Sequence, residues 1–122
     1  MALLDTAQLD AMAAGTPELL LPIVIDFEAA GKRQLNDLHG ALTEGRFADG
    51  KDILHQLKGA SGTIGMFHFE QLCRECEEQV GSGQIPPRFA ELAPLLLESV
   101  AAASSYLQGN PGSTAPPDTP GS

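Results

Sequence analysis

Helical periodicity, interrupted at intervals by glycine and proline, is the sequence feature that most limits the folds open to this chain. Thr16-Pro17 predicts a helix start, because threonine is a good N-cap and proline is favoured in the first turn. Gly45 and Gly65 stand where the apolar spacing stops, as expected of helix ends. No alternating run of β-branched and aromatic residues predicts a strand. The sequence therefore predicts an all-α protein.

Caps and glycines delimit the first two helical segments. Asp5 and Gln8 form a capping pair, and Gly15 follows as a stop. The next segment continues to about Glu44, with Gly31 either ending it or only interrupting it. The residues expected on its buried face are Leu19, Leu20, Ile23, Phe27 and Ala30, followed by Leu35, Leu38 and Leu42.

Three further helical segments are expected, over 47–64, 67–80 and about 88–107. Pro94 lies inside the last, where it must kink the helix or mark its true start. Short connections favour antiparallel neighbours, so the predicted architecture is an up-and-down helical bundle. The residues expected to face inward in the fourth segment are Phe69, Leu72, Cys73, Cys76 and Val80.

The composition changes at the end of the chain. Residues 109–122 contain three glycines, four prolines, two serines and two threonines, with one alanine as the only hydrophobic residue. Such a segment buries too little apolar surface to offset the entropy of ordering, so we expect a disordered tail. The total of 122 residues suits one domain, which we place at residues 1–108.

Charge and cysteine usage exclude several classes of protein. Sixteen acidic and seven basic residues give a net charge of −9, which argues against nucleic-acid and anionic-membrane partners. No apolar run is long enough to span a membrane, and the first residues do not have a signal-peptide pattern. Two closely spaced cysteines suggest a reduced, cytoplasmic protein. No glycine-rich nucleotide-binding motif is present.

The segment from Leu54 to Gly65 carries most of the functional information. On a helical wheel at about 100° per residue, His55 lies opposite the expected core. The buried arc is predicted to contain Ile53, Leu57, Ala60, Ser61 and Ile64, with Leu54 at its edge. The residues predicted to share the exposed face with His55 are Lys51, Asp52, Lys58, Gly59, Gly62 and Met66.

This exposed face suits a phosphoryl carrier. Glycine in a helix interior costs about 0.8–1 kcal/mol relative to alanine, so Gly59 and Gly62 require a reason. Their missing side chains would clear an approach to the imidazole of His55, although a packing role for Gly62 is an equal alternative. Neutral imidazole is a competent nucleophile near pH 7, and Lys58 can stabilise phosphoryl oxygens. The alternative for Lys51 and Lys58 is that they serve only the solubility of an exposed helix face.

The run HQLKGAS over residues 55–61, with Gly65 ten residues after the histidine, resembles the histidine-containing phosphotransfer (HPt) domain of phosphorelays. The chain departs from the usual pattern at two positions. Leu54 replaces the common alanine before the histidine, and Ala60 replaces the common serine after Gly59. Neither change removes a reacting group. Leu54 is expected to flank the docking face, so it bears on partner choice and not on the activity.

The resemblance implies a four-helix bundle with an additional N-terminal helix. His55 would take a phosphoryl group from an aspartyl phosphate and pass it to a second aspartate, with no ATP-dependent kinase activity of its own. Lys58 would stabilise the phosphoryl oxygens, Gly59 would keep the approach open, and Ser61 would be structural. The partners would be receiver domains of response regulators or of a hybrid sensor histidine kinase. No cofactor is expected in this chain, because the Mg²⁺ would sit in the receiver.

Other residues have weaker interpretations. Glu77, on the following helix, could bind a ring N–H of His55 and orient the imidazole, or it could be a solvated surface residue. Arg46, Lys51 and Lys58 could make the docking face less negative than the whole chain. Nothing in the sequence demands more than a monomer. His39 is expected to be a partly exposed bystander, as is His68.

Two rival functions remain open. A bundle with this face could bind and sequester a receiver domain or another enzyme without transferring phosphate. A thiol or zinc protein is the third class, and it depends only on Cys73 and Cys76. Both cysteines lie in a predicted helix with no evident further metal ligands, so core packing is the interpretation we favour.

Overall fold

The structure is a computed structural model that describes residues 3–109. Within that range it contains helices and no strand, which confirms the predicted all-α class. The five helices are α1 (Thr6–Ala13), α2 (Pro17–Thr43), α3 (Phe47–Thr63), α4 (Phe67–Gly81) and α5 (Leu92–Leu107), with a short 3₁₀ helix at Phe89–Glu91. The tail predicted to be disordered lies, apart from Gly109, outside the described residues.

The four longer helices form the bundle. α2 packs beside α3 and α5, and α4 packs beside the same two helices, so each helix has two neighbours. The connections 44–46 and 64–66 are short, which makes the consecutive helices antiparallel. α1 packs against α2 as the additional N-terminal helix. The predicted architecture is therefore confirmed.

α2 is one continuous helix, so Gly31 interrupts its apolar spacing without ending it. Gly31 is buried, and a Cβ at this position would lie 3.0 Å from Cδ2 of Leu96 on α5. The absent side chain therefore lets the two helices approach. Residues Leu20, Phe27, Leu35, Leu38 and Leu42 are buried as predicted.

The predicted burial is wrong for two residues of α2. Leu19 is 70% exposed and Ile23 is 48% exposed, whereas Val24 is fully buried. Ala30 is only half-buried. The first turns of α2 are apolar on every side, so the spacing alone could not fix which side faces the core.

Pro94 marks the start of the last helix. α5 begins at Leu92, so Pro94 lies in its first turn, where a backbone N–H has no partner within the helix. The predicted start near Arg88 is occupied by the 3₁₀ helix that precedes α5. Of the two alternatives for Pro94, the structure supports the helix start.

The inward face of α4 is as predicted. Phe69, Leu72, Cys73, Cys76 and Val80 are all at most 2% exposed. Phe69 meets Phe27 of α2 edge-to-face, with 6.2 Å between ring centroids. Aromatic pairs of this geometry add to the stability that apolar burial provides. α4 is therefore fixed firmly against the rest of the bundle.

α1 closes one end of the bundle at the turn between α3 and α4. The side chain of Asp5 accepts a hydrogen bond from Gln8 N at 3.1 Å, which confirms the Asp5 half of the predicted capping pair. The Gln8 side chain does not return to Asp5 but donates to the carbonyl of Thr63 at 2.8 Å. The amide of Asp5 donates to the carbonyl of Gly65 at 2.7 Å. Gly65 has φ of +73°, and a Cβ there would lie 2.7 Å from Asp5 O. Only glycine suits this position.

None of the helices within residues 3–109 is long and apolar enough to cross a membrane.

Candidate phosphoryl-acceptor site

α3 presents His55 to solvent because its buried residues set its rotation. Leu54, Leu57 and Ser61 are wholly buried, and Ile64 just beyond the helix is 4% exposed. This spacing leaves the His55 side chain outward, 68% exposed. The structure therefore places His55 where the sequence predicted it.

The buried arc of α3 is rotated slightly from the prediction. Ala60 is exposed and Ile53 is only half-buried, whereas Leu54 is wholly buried. α4 is the most extensive neighbour of α3, and Leu54 lies on the packed side of this helix. Leu54 therefore does not flank the docking face, and its difference from the family pattern is a difference in the core.

Most of the residues predicted beside His55 do share its face. Lys51, Asp52 and Gly59 are exposed, while Lys58 and Gly62 are partly buried. The prediction is wrong for Met66, which was expected on the exposed face but is wholly buried. α3 ends at Thr63 and the chain then turns at Gly65, so the helical spacing could not be extended to Met66.

The two glycines on this face differ in their surroundings. A Cβ at Gly59 would meet nothing within 4 Å, so the space above it is open. A Cβ at Gly62 would lie 2.9 Å from Oε2 of Glu70 on α4. Glu70 in turn lies 3.4 Å from the guanidinium of Arg74. Gly59 therefore fits the clearance role, and Gly62 makes room for Glu70.

α4 brings Glu77 to His55, as the orienting hypothesis requires. Glu77 Oε2 lies 3.2 Å from His55 Nδ1, and Oε1 lies 2.7 Å from Lys58 Nζ. The Glu77 side chain is only 13% exposed, so it is not a solvated surface residue. One carboxylate therefore contacts both His55 and Lys58 of α3, each through a different oxygen.

The surroundings of Glu77 favour its ionised form. Burial acts to raise the pKa of Glu77, but the hydrogen bond and charge of Lys58, with a further contribution from His55, lower the pKa below its ordinary value. The carboxylate is therefore ionised near neutral pH and can only accept hydrogen bonds.

An acceptor at Nδ1 determines the chemistry of the other ring nitrogen. A neutral imidazole that donates its Nδ1 proton to Glu77 carries its lone pair on Nε2. Since the ring is largely exposed, that lone pair is available to a partner. The arrangement provides one oriented nucleophilic atom.

Arg46, one of the cations expected to offset the negative charge near the docking face, is already paired. Arg46 contacts Glu44 at 2.9 Å and Asp49 at 2.8 Å, so its charge is compensated locally and contributes little to the docking face. Ser61 donates from Oγ to the carbonyl of Lys58 at 3.0 Å, as expected of a structural residue. Sequence reasoning missed Glu70, whose only signal was its position two helical turns before Glu77.

The cysteine motif lies in the core. Burial raises the pKa of Cys76 to about 11 and holds the pKa of Cys73 even further above the usual thiol value. No group of three His, Cys, Asp or Glu side chains in the described range could hold a metal ion. His39 is exposed and stacks on Phe89 at 5.9 Å, and His68 is half-buried. These residues form no second chemical site with the cysteines.

Comparisons with known proteins agree with this geometry. The model of the Hpt domain family matches residues 22–105. The crystal structure of histidine-containing phosphotransfer protein B (HptB) from Pseudomonas aeruginosa PAO1 is similar, with a TM-score of 0.70 and 21% identity. That match covers 88% of this chain and 92% of the other, and at this identity it concerns the fold. No curated protein matches significantly. Because the family match spans well over half of the sequence, this chain belongs to the Hpt family, the histidine phosphotransfer domains of phosphorelays.

Proposed function

We propose that this chain relays a phosphoryl group between receiver-domain aspartates through a phosphohistidine at Nε2 of His55. The observation that carries the proposal is the contact between His55 Nδ1 and Glu77 Oε2 at 3.2 Å beneath an exposed imidazole. This contact orients the ring and leaves Nε2 as the nucleophile. Membership of the Hpt family supports the same reaction.

The transfer step follows from this orientation. The Nε2 lone pair attacks the phosphorus of an aspartyl phosphate in line, and the N–P bond forms as the P–O bond to the carboxylate breaks. The leaving carboxylate keeps the electron pair. Positive charge that develops on the imidazole is compensated by Glu77, which holds the Nδ1 proton. In the reverse step, a carboxylate of a second receiver attacks the phosphorus and restores the neutral ring.

Lys58 stabilises the transferred group in this proposal. Its ammonium contacts Glu77 before transfer and is one helical turn from His55, so it can reach the phosphoryl oxygens. A pair of opposite charges at 4 Å gains about 1 kcal/mol in water and about 4 kcal/mol in a partly dehydrated interface. Such a contribution assists charge and position, while His55 supplies the bond-forming atom.

The exposed strip of α3 beyond the histidine allows a receiver to approach. Gln56, Gly59, Ala60 and Thr63 are exposed, and none of them carries a charge. The acidic residues that give the chain its net charge of −9 are therefore not on this strip, which reduces electrostatic repulsion of an acidic receiver site. The strip would contact the receiver while the clearance above Gly59 admits its active-site loops.

We assign the partners as receiver domains of response regulators or of a hybrid sensor histidine kinase. The chain would act as a monomer in the cytoplasm, and it would need no cofactor of its own because the receiver supplies Mg²⁺. The rival function, docking without transfer, does not require a carboxylate that joins Lys58 to His55. That pairing is why transfer is preferred.

The test is phosphoryl transfer from a panel of phosphorylated receiver domains to the wild-type chain and to His55→Gln. We expect label on the wild type that is acid-labile and alkali-stable, and complete loss of label in the variant. His39→Gln is the matched control, since His39 is also exposed but lies in the groove between α2 and α5. Binding of receivers without any label on the wild type would instead support the docking function.

A further inference from the structure

The charges around His55 do not balance once a phosphoryl group is attached. Glu77 contacts Lys58 at 2.7 Å, so these two charges compensate each other before transfer. A phosphoryl group adds about two negative charges near neutral pH. Lys58 alone would then have to offset both the phosphoryl group and Glu77, which leaves excess negative charge at the site.

Lys51 is a second cation within reach of that group. It lies four residues before His55 on α3, a rise of about 6 Å along the helix axis, and on the same face. The side chain is exposed and forms no ion pair within residues 3–109. Lys51 is therefore free to turn towards a new negative charge.

The resting position of Lys51 is at the carboxyl end of α4. A Cβ at Gly81, the last residue of α4, would lie 3.8 Å from Lys51 Cε and 3.9 Å from Nζ. The negative end of a helix dipole attracts a cation weakly at an exposed site. Since side chains on a helix lean towards its N-terminus, the ring of His55 leans towards Lys51. Residues four apart are neighbours on a helix face, so rotation of the flexible Lys51 side chain would bring its ammonium to the phosphoryl oxygens.

We propose that Lys51 leaves the end of α4 and binds the phosphoryl group on His55, while Lys58 remains shared with Glu77. The inference rests on the proposed function, because it assumes a phosphohistidine at His55. It assigns the two lysines different tasks. Lys58 is divided between Glu77 and the transferred group, and Lys51 supplies the additional positive charge that the phosphorylated state requires.

The experiment measures the lifetime of the phosphohistidine without any receiver. The chain is phosphorylated with phosphoramidate, a small donor that modifies histidine directly, and the loss of label is followed over time. We expect Lys51→Gln to lose label about 3- to 5-fold faster than wild type, the effect of one exposed charge pair. The difference should shrink at high salt, because exposed charges are screened.

Two further variants separate this role from a general effect of charge or folding. Arg33→Gln removes another exposed cation without an ion pair among the described residues, on the outward side of α2, and should leave the lifetime unchanged. Lys51→Arg keeps the charge and should restore most of the wild-type lifetime. Thermal unfolding of all variants should match the wild type, since the altered side chains are exposed.

The outcomes are distinguishable. Label on His55 that decays equally in wild type and Lys51→Gln overturns the role of Lys51 and leaves the proposed function intact. An equal acceleration in Arg33→Gln also overturns it, because the effect would then be one of net charge. If neither phosphoramidate nor any receiver labels His55, the proposed function fails and this inference fails with it.

Discussion

His55 and the pair Cys73 and Cys76 are the two places where the sequence suggests chemistry, and the structure separates them completely. The His55 side chain is 68% exposed, with a carboxylate on one ring nitrogen and open space nearby. Both cysteines are 0% exposed and lie among apolar side chains. A residue of reactive type is therefore informative only when its helical face is known.

α4 borders both places, and a small rotation distinguishes them. Glu77 follows Cys73 by four residues, so the two side chains differ by only about 40° around the helix axis. That angle moves Glu77 from the core to its edge, where its carboxylate reaches the outer face of α3. The boundary between core and site therefore runs along one helix.

The largest expected effect concerns the cysteines. We expect a thiol reagent to label Cys73 and Cys76 at least about 10³-fold more slowly in the native chain than in denaturant, because exposure requires opening that costs most of the folding free energy. The measurement is the labelling rate with and without denaturant. Labelling at similar rates, with native helix content by circular dichroism, would show that the cysteines are accessible in the folded chain and would contradict the contrast with His55.

The next effect compares the two glycines of the site. Gly59→Ala should stabilise the chain by up to about 1 kcal/mol, because helix propensity improves and a Cβ meets nothing within 4 Å. Gly62→Ala should gain less, since its Cβ must displace the Glu70 carboxylate at 2.9 Å. Chemical denaturation of the two variants checks this order. A larger gain at Gly62 would contradict the different roles assigned to these positions.

The smallest effect tests the edge of the core at Glu77. The pKa of Glu77 is lower in the folded chain than its ordinary value of 4.5, so ionisation stabilises the fold above that value. This stabilisation is lost as pH falls through the folded-state pKa. Glu77→Gln should therefore cost about 0.5–1 kcal/mol at pH 7 and almost nothing at strongly acidic pH.

Denaturation curves at several pH values measure this difference. The matched control is Glu78→Gln, which changes an exposed carboxylate on the same helix that forms no ion pair within the described chain. A loss that does not change with pH would mean that Glu77 acts through packing. The comparison between core and site would then lose its electrostatic basis.

Much of the fold was predictable because local signals agreed with one another. Asp5 caps α1 as expected, and the inward residues of α4 follow one unambiguous stripe. The exposure of His55 was predictable for the same reason, since polar and apolar residues lie on opposite sides of α3. Where the apolar spacing was one-sided, the sequence predicted the buried side of the helix, to within the small rotation seen in α3.

Apart from the rotated arc of α3, the errors occur where the apolar spacing does not distinguish one side of the helix or where the helix stops. Leu19 and Ile23 lie in a stretch of α2 that is apolar all round, so tertiary packing selected Val24 for the core. Met66 was assigned by extending the spacing of α3 past its actual end at Thr63. The contact between Glu77 and Lys58 joins two helices, and no spacing within one helix could give its distance.

The closure of the bundle by α1 has a practical consequence for labelling and fusion. The carbonyl of Leu3 accepts a hydrogen bond from the His68 amide at 3.1 Å, which anchors the start of the described chain at the turn between α3 and α4. That turn is ten residues beyond His55, or about 15 Å along the helix axis. A fluorophore attached at this anchored end would therefore be separated from His55 by about that rise, so it would leave the nucleophile uncovered.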